Sequence, residues 1–138
     1  MTYRIDLLNT DELSEKAIIL LNLSLEASAS PFYELEDYLE AVRRKQSLLF
    51  GLFNNNQLEA VFFIEIKAGK GKKILILSLF GWEGMESMRN FRQFLVDFLF
   101  DIAKQNQCTD FTMLGPLAWK RIFPELILSG CVYTRRLI

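Results

Sequence analysis

Lys72-Lys73-Ile74-Leu75-Ile76-Leu77-Ser78-Leu79-Phe80-Gly81-Trp82-Glu83-Gly84-Met85-Glu86-Ser87 carries the passage from a buried strand into a long helix. Ile74 to Phe80 is almost unbroken apolar sequence, the composition of a strand covered on both faces. From Met85 to Gln105, Met88, Phe91, Leu95, Phe98 and Ile102 fall on one helical stripe, with Arg89, Gln93, Asp97, Asp101 and Lys104 opposite. Phe94, Leu99 and Phe100 broaden the apolar side. Cys108 to Leu114 then reads as a strand that stops at Gly115-Pro116. A strand-helix-strand crossover of this kind joins two parallel neighbours and is right-handed, so the run Ile74–Phe80 is expected to be the central strand.

Upstream, Leu48–Phe53 and Leu58–Ile66 read as strands joined by Asn54-Asn55-Asn56-Gln57. Asn tolerates positive φ, which makes this a hairpin turn. A second turn spans Lys67 to Lys73. Nearer the start, Tyr3–Leu8 is a strand, and Asn9 with Glu12 forms a capping-box pattern that predicts a helix carrying Leu13, Ala17, Leu20, Leu21 and Leu25 on one face. Ser30-Pro31 predicts a second helix, Pro31 to about Lys45, with Glu34, Glu36 and Asp37 at its positive end and Arg43, Arg44 and Lys45 at its negative end. Downstream, a short helix to about Leu128 and a last strand, Gly130–Leu137, complete the order β-α-α-β-β-β-α-β-α-β. No repeat, low-complexity tract or linker interrupts it. The expectation is one α/β (α+β) domain over residues 1–138, with a mixed sheet and helices on both faces.

The chain has 138 residues, 51% of them hydrophobic, enough for a sizeable core without metals or disulfides. Sixteen basic against 17 acidic residues leave a net charge of −1, which disfavours nucleic acid as a partner. There is no histidine. Ser-His-Asp and Cys-His relays and histidine zinc sites are therefore excluded, and chemistry falls to carboxylates, Tyr, Cys, Lys, backbone amides or a bound cofactor. Cys108 and Cys131 have no CxxC partner and read as reduced core thiols, which points to a cytoplasmic compartment. Phe91–Ala103, the longest apolar-looking stretch, is interrupted by Arg92, Gln93, Asp97 and Asp101, so no membrane span is expected.

This order of elements, with these lengths, resembles the GNAT superfamily of acyl-CoA-dependent N-acyltransferases over essentially the whole chain. The resemblance implies that the strand ending at Phe80 leads into a cofactor loop whose amides hold a pyrophosphate. The family pattern there is Gln/Arg-x-x-Gly-x-Gly/Ala. Here Gly81 and Gly84 keep two glycines, the leading Gln or Arg is missing, and Glu83 and Glu86 stand where the pyrophosphate sits. Gly81, Trp82, Gly84 and Arg89 are the candidates for cofactor binding, with Arg89 one turn into the helix and Arg92 two. The C-terminal segment Ser129-Gly130-Cys131-Val132-Tyr133 is similar to the family's final Gly-aromatic strand start, with Cys131 in the aromatic place. The tyrosine that the family often carries in the preceding helix is absent from Trp119–Leu126.

Two catalytic candidates follow. Glu65, near the end of the strand before the lysine turn, is a candidate carboxylate base for an amine; by period two it shares a face with Glu59. Tyr133 is a candidate acid. Trp82 and Trp119 follow strand ends on the side where open sheets bind ligands. The Lys67–Lys73 turn, with Arg135 and Arg136, concentrates positive charge, and Phe100 with Val96 would mark an association surface if exposed. No metal site is expected. The eroded signature is similar to that of degenerate GNAT-like proteins of tailed phages. It implies a non-enzymatic role through protein contacts, with a phage structural protein in head or virion assembly as partner, no cofactor, and a place in the host cytoplasm or the virion. The alternative is an acyl-CoA-dependent N-acetyltransferase using acetyl-CoA through an altered loop.

Overall fold

A computed structural model describes residues 2–26, 33–114, 127–129 and 132–136, with Leu114 and the last two segments described by backbone alone. The strand β4 (Lys72–Trp82) lies at the centre of a seven-stranded sheet. On one side of it come β3 (Gln57–Gly69), β2 (Leu48–Asn54) and β1 (Tyr3–Leu7) in turn. On the other come β5 (Asp110–Leu114), β7 (Val132–Arg136) and β6 (Ile127–Ser129). Only β4 and β5 run parallel among these neighbours, in register from Ile74↔Asp110 to Leu77↔Met113. The central strand and its parallel partner are thus as the apolar run and the crossover predict.

Both predicted hairpins form, and both are tight. Asn55 and Asn56 take φ of 50° and 69°, and Lys70 and Gly71 take 52° and 73°. Two successive left-handed residues match the twist of the strands they join. The lysine segment is therefore mostly strand: β3 runs to Gly69 and β4 begins at Lys72, leaving only Lys70-Gly71 to turn.

Each face of the sheet is covered. Helix α3 (Met85–Gln105) lays Met88, Phe91, Leu95, Leu99 and Ala103 on Phe62, Ile64, Leu75, Leu77, Phe80, Phe111 and Met113. On the other face, α1 (Glu15–Glu26) contributes Ala17, Leu20 and Leu21, and α2 (Leu35–Arg43) contributes Leu39, against Leu49, Val61, Phe63 and Leu79. Phe62, Phe63, Phe80 and Phe91 are fully buried, each worth roughly 2–3 kcal/mol of apolar transfer.

The helix ends differ from the sequence expectations. Asn9 makes a turn, its side chain accepting from the Asp11 amide at 2.9 Å, and the helix starts later, where Ser14 Oγ accepts from the Ala17 amide at 3.1 Å. The second helix starts at Leu35, not Pro31, because the Asp37 carboxylate accepts from the Glu34 amide at 2.8 Å and fixes the first turn there. Ser30-Pro31 lies outside the described residues. So does the body of the predicted fourth helix, but Ile127 and Leu128 are strand, paired with Thr134 and Tyr133. Val96 is buried, and the Phe100 ring packs edge-on against Phe111 at 5.8 Å, so these two do not make the exposed patch considered above.

Candidate functional site at the end of the central strand

Two single-residue bulges shape the end of the sheet where β4 meets α3. In β4, Leu77 pairs with Ile64 and Leu79 with Phe63, so Ser78 is the extra residue. The β4–β5 ladder ends at the same level, at Leu77↔Met113. A bulge bends the strand that holds it, and beyond Ser78 the rest of β4 has no β5 partner among the described residues. In β3, Ala60 pairs with Leu52 and Leu58 with Phe53, so Glu59 is extra. That bulge turns Glu59 toward the α3 side, where Asn54 Nδ2 donates to its Oε1 at 3.1 Å, and so breaks the shared face with Glu65 that period two predicts.

The two glycines of the expected loop have different jobs. Gly81 is inside β4, and a β-carbon there would lie 2.1 Å from the Leu20 carbonyl oxygen of α1. It permits close helix-on-strand packing. Gly84 is the N-cap of α3 at φ 77°, with no side-chain cap, and a β-carbon there would meet nothing within 4 Å. The first amides of any helix lack intrahelical acceptors and carry the positive end of its dipole. Here they lie beside the end of β4, which has no β5 partner among the described residues.

Glu83, which stands at this point, is held by an ion pair with Lys16 of α1. A cation absent from the loop itself therefore offsets the carboxylate from another element. Glu86 is exposed in the first turn, and Arg89 is exposed one turn further on. The Trp82 ring turns to the α3-side core, 5.1 Å from Phe80, and is partly buried there. Lys16, Glu83 and Ser87, with Gln57, Leu58 and Glu59 of β3, line an open pocket of about 440 Å³.

Glu65 lies elsewhere, one strand from the point where β4 and β5 part. Its backbone shares a cross-sheet row with Ile76, Thr112 and Thr134. Its side chain is 24% exposed, and Lys67 Nζ lies 3.6 Å away on a 70%-exposed side chain. Tyr133, described by backbone only, is opposite Met113, the last β5 residue still paired with β4. The two catalytic candidates thus occupy adjacent rows, close to the level of the parting. Cys108 is buried, and burial raises its thiol above the ordinary cysteine value, against a smaller downward pull from Lys73. Cys131 and Trp119 lie outside the described residues. Among the described residues, no cluster of His, Cys, Asp and Glu is placed to hold a metal, and no helix is long and apolar enough to cross a membrane.

Neither bulge has a signal in the sequence, and neither does Lys16, because its role depends on a contact 67 residues away in the chain. No protein-family model and no curated protein matches the sequence. Solved structures do match the fold. A chain of the NatC complex bound to Gag peptide and CoA superposes with a TM-score of 0.74 at 11% identity, covering 100% of both chains. The chain has the GNAT acetyltransferase fold. The PaiA N-acetyltransferase from Thermoplasma acidophilum, in complex with coenzyme A, superposes at 0.63 with 15% identity over 99% of both chains. A GNAT-family acetyltransferase from Streptococcus pneumoniae gives 0.63 at 12% identity, over 99% of this chain and 100% of that one. At such identities the likeness is one of fold.

Proposed function

We propose that the protein is an acyl-CoA-dependent N-acyltransferase with an altered cofactor loop. The observation that carries this reading is the N-terminus of α3 at Gly84, where a β-carbon would meet nothing within 4 Å, set beside a central strand that has no parallel partner after Leu77 among the described residues. The residues fit a phosphate-bearing cofactor: Gly84 leaves the approach clear, and Lys16 offsets Glu83. The coenzyme A complexes among the similar structures support the same ligand class.

When bound, acyl-CoA supplies a thioester carbonyl and a sulfur leaving group. The α3 amides would hold its phosphates, and the edge of Ser78–Trp82, which has no β5 partner among the described residues, would offer backbone donors and acceptors to its amide-bearing arm. Glu65 would be the base for the amine's proton, and Tyr133 the acid for the departing sulfur. Isothermal calorimetry with acetyl-CoA tests the reading: saturable binding is expected, and no heat at millimolar cofactor overturns it. With an amine acceptor, Glu65→Gln is expected to lower turnover by about 10²- to 10⁴-fold while binding persists.

Action through protein contacts is the second reading, favoured by Ile18 and Ile19, adjacent on α1 and 44% and 45% exposed. The virion-assembly partner expected from the sequence is one occupant for that surface. Stoichiometric capture of such a partner, lost in Ile18→Ser/Ile19→Ser, is its test.

A further inference from the structure

Strand β1 ends the sheet, with β2 as its one strand neighbour among the described residues. The bonds at its two ends fix which way each residue's backbone points. The Leu8 amide donates to the Leu49 carbonyl, and the Thr2 carbonyl accepts from the Asn55 amide. In an antiparallel ladder every second residue bonds to a given neighbour, so Arg4 and Asp6 also face β2. The N–H and C=O groups of Ile5 and Leu7 point outward.

An outward-facing edge pairs with other strands unless something repels them, and charged side chains commonly do so. Here the charges are arranged otherwise. Tyr3-Arg4-Ile5-Asp6-Leu7 carries opposite charges placed symmetrically about Ile5. A second copy laid antiparallel, with Ile5 opposite Ile5, therefore sets each Arg4 across from an Asp6. Within one chain Arg4 Nε donates to the Asp6 carboxylate, Nη1 donates to Asn56 Oδ1 at 2.8 Å, and the guanidinium lies 4.6 Å from the centre of the Phe53 ring. The arginine is thus held on the face of the strand where its counterpart arrives, and the charges of the two copies alternate in sign.

The opposite face of the strand fits the same register. Leu7 is 62% exposed and Phe94 of α3 is 38% exposed, although both are large and apolar. The Tyr3 ring packs on Phe94 with centroids 5.6 Å apart. Pairing about Ile5 sets Leu7 of one copy opposite Tyr3 of the other, so the step that matches the charges also brings Leu7 to this aromatic pair.

We propose that the chain forms a symmetric dimer in which β1 pairs antiparallel with β1 of a second copy, centred on Ile5, and joins the two seven-stranded sheets into one. The contact uses none of the residues assigned to the cofactor or to acyl transfer.

Sedimentation equilibrium over a range of protein concentrations tests the dimer. The parent chain is expected to pass from monomer to dimer. Asp6→Arg and Arg4→Asp each set like charges opposite one another, and each should raise the dimer dissociation constant about tenfold or more. Mixed in equal amounts, the two variants are complementary at both positions and should associate more tightly than either does alone. A parent chain that stays monomeric up to about 1 mM overturns the proposal. So does a mixture that associates no better than its components. Should either variant fail to fold, amide hydrogen exchange in the parent chain decides: with rising concentration Ile5, whose amide faces outward, should gain more protection than Asp6, whose amide faces β2. No larger gain at Ile5 overturns the proposal as well.

Discussion

The α-carbon of Gly81 lies beneath the Leu20 carbonyl, so closely that a β-carbon would come within 2.1 Å of that oxygen. Backbone cannot yield as a side-chain tip can, and Gly81→Ala must push α1 off β4. We expect a loss of about 3 kcal/mol by urea denaturation. Gly84→Ala meets no neighbour and carries only the strain of a backbone at φ 77°, ψ 132°, roughly 1–3 kcal/mol. The order of interest is reversed for coenzyme A: Gly84→Ala should weaken its binding by calorimetry, because a methyl group enters the approach to the α3 amides. Equal stability of Gly81→Ala and the parent would contradict the packing described.

Lys16 and Glu83 form an ion pair whose side chains are 42% and 49% exposed, so its worth to the fold is below about 1 kcal/mol. Its effect on an anion should be larger than its effect on stability. Glu83→Gln frees the lysine and removes a negative charge beside α3, and is expected to tighten coenzyme A binding. Lys16→Ala leaves Glu83 uncompensated and should weaken it. Titrations at low salt read both changes, and two variants shifting the affinity in the same direction would exclude this electrostatic role.

The alkaline limb of stability has a named contributor. Burial raises the Cys108 thiol above its ordinary value of 9.0, so the unfolded chain releases this proton first as pH increases. The stabilisation is complete below pH 9.0 and is lost as pH rises through the higher folded value. Tyr3, raised from 10.0 by burial and then by Glu59, adds a loss of the same sign at higher pH. Cys108→Ala should cost about 1 kcal/mol at neutral pH and flatten the fall in urea midpoint above pH 9.0. An unchanged slope would remove Cys108 from the account.

Much of this architecture is legible in residues 72–105, because period and turn chemistry are local. The β4 strand is apolar enough, and α3 amphipathic enough, to place the centre of the sheet and one cover. Helix starts were less legible: Asn9 and Ser14 are both good caps, and only the packing of Ala17 and Leu20 chooses between them. The site was hardest to see. Gly81 and Gly84 look alike in sequence, and they part company only when Leu20 arrives over one of them. Lys16 acts on Glu83 through space, and the bulge at Glu59 interrupts a strand whose composition does not change.

Lys70 occupies the first position of its hairpin turn at φ 52°, where a lysine gains nothing. Asn-Gly is the favoured pair for such a turn. Lys70→Asn is expected to stabilise the protein by roughly 0.5–1 kcal/mol without altering any ligand response. Chemical denaturation reads the gain, and a loss would mean that the Lys70 side chain has a role in the fold.

Ser78 sets the phase of everything that follows it in β4. Leu75 and Leu77 face α3, and so do Phe80 and Trp82, although simple alternation from Leu77 would give that side to Leu79 and Gly81. Were Ser78 paired as an ordinary strand residue, the end of the strand would turn over: Phe80 would be thrust at the Leu20 carbonyl, and Gly81 would leave a hole under α3. A single unpaired serine thus acts as a phase shifter that keeps a glycine under one helix and two aromatic rings under the other, whereas a deletion at 78 would leave those facings in place and only straighten the strand.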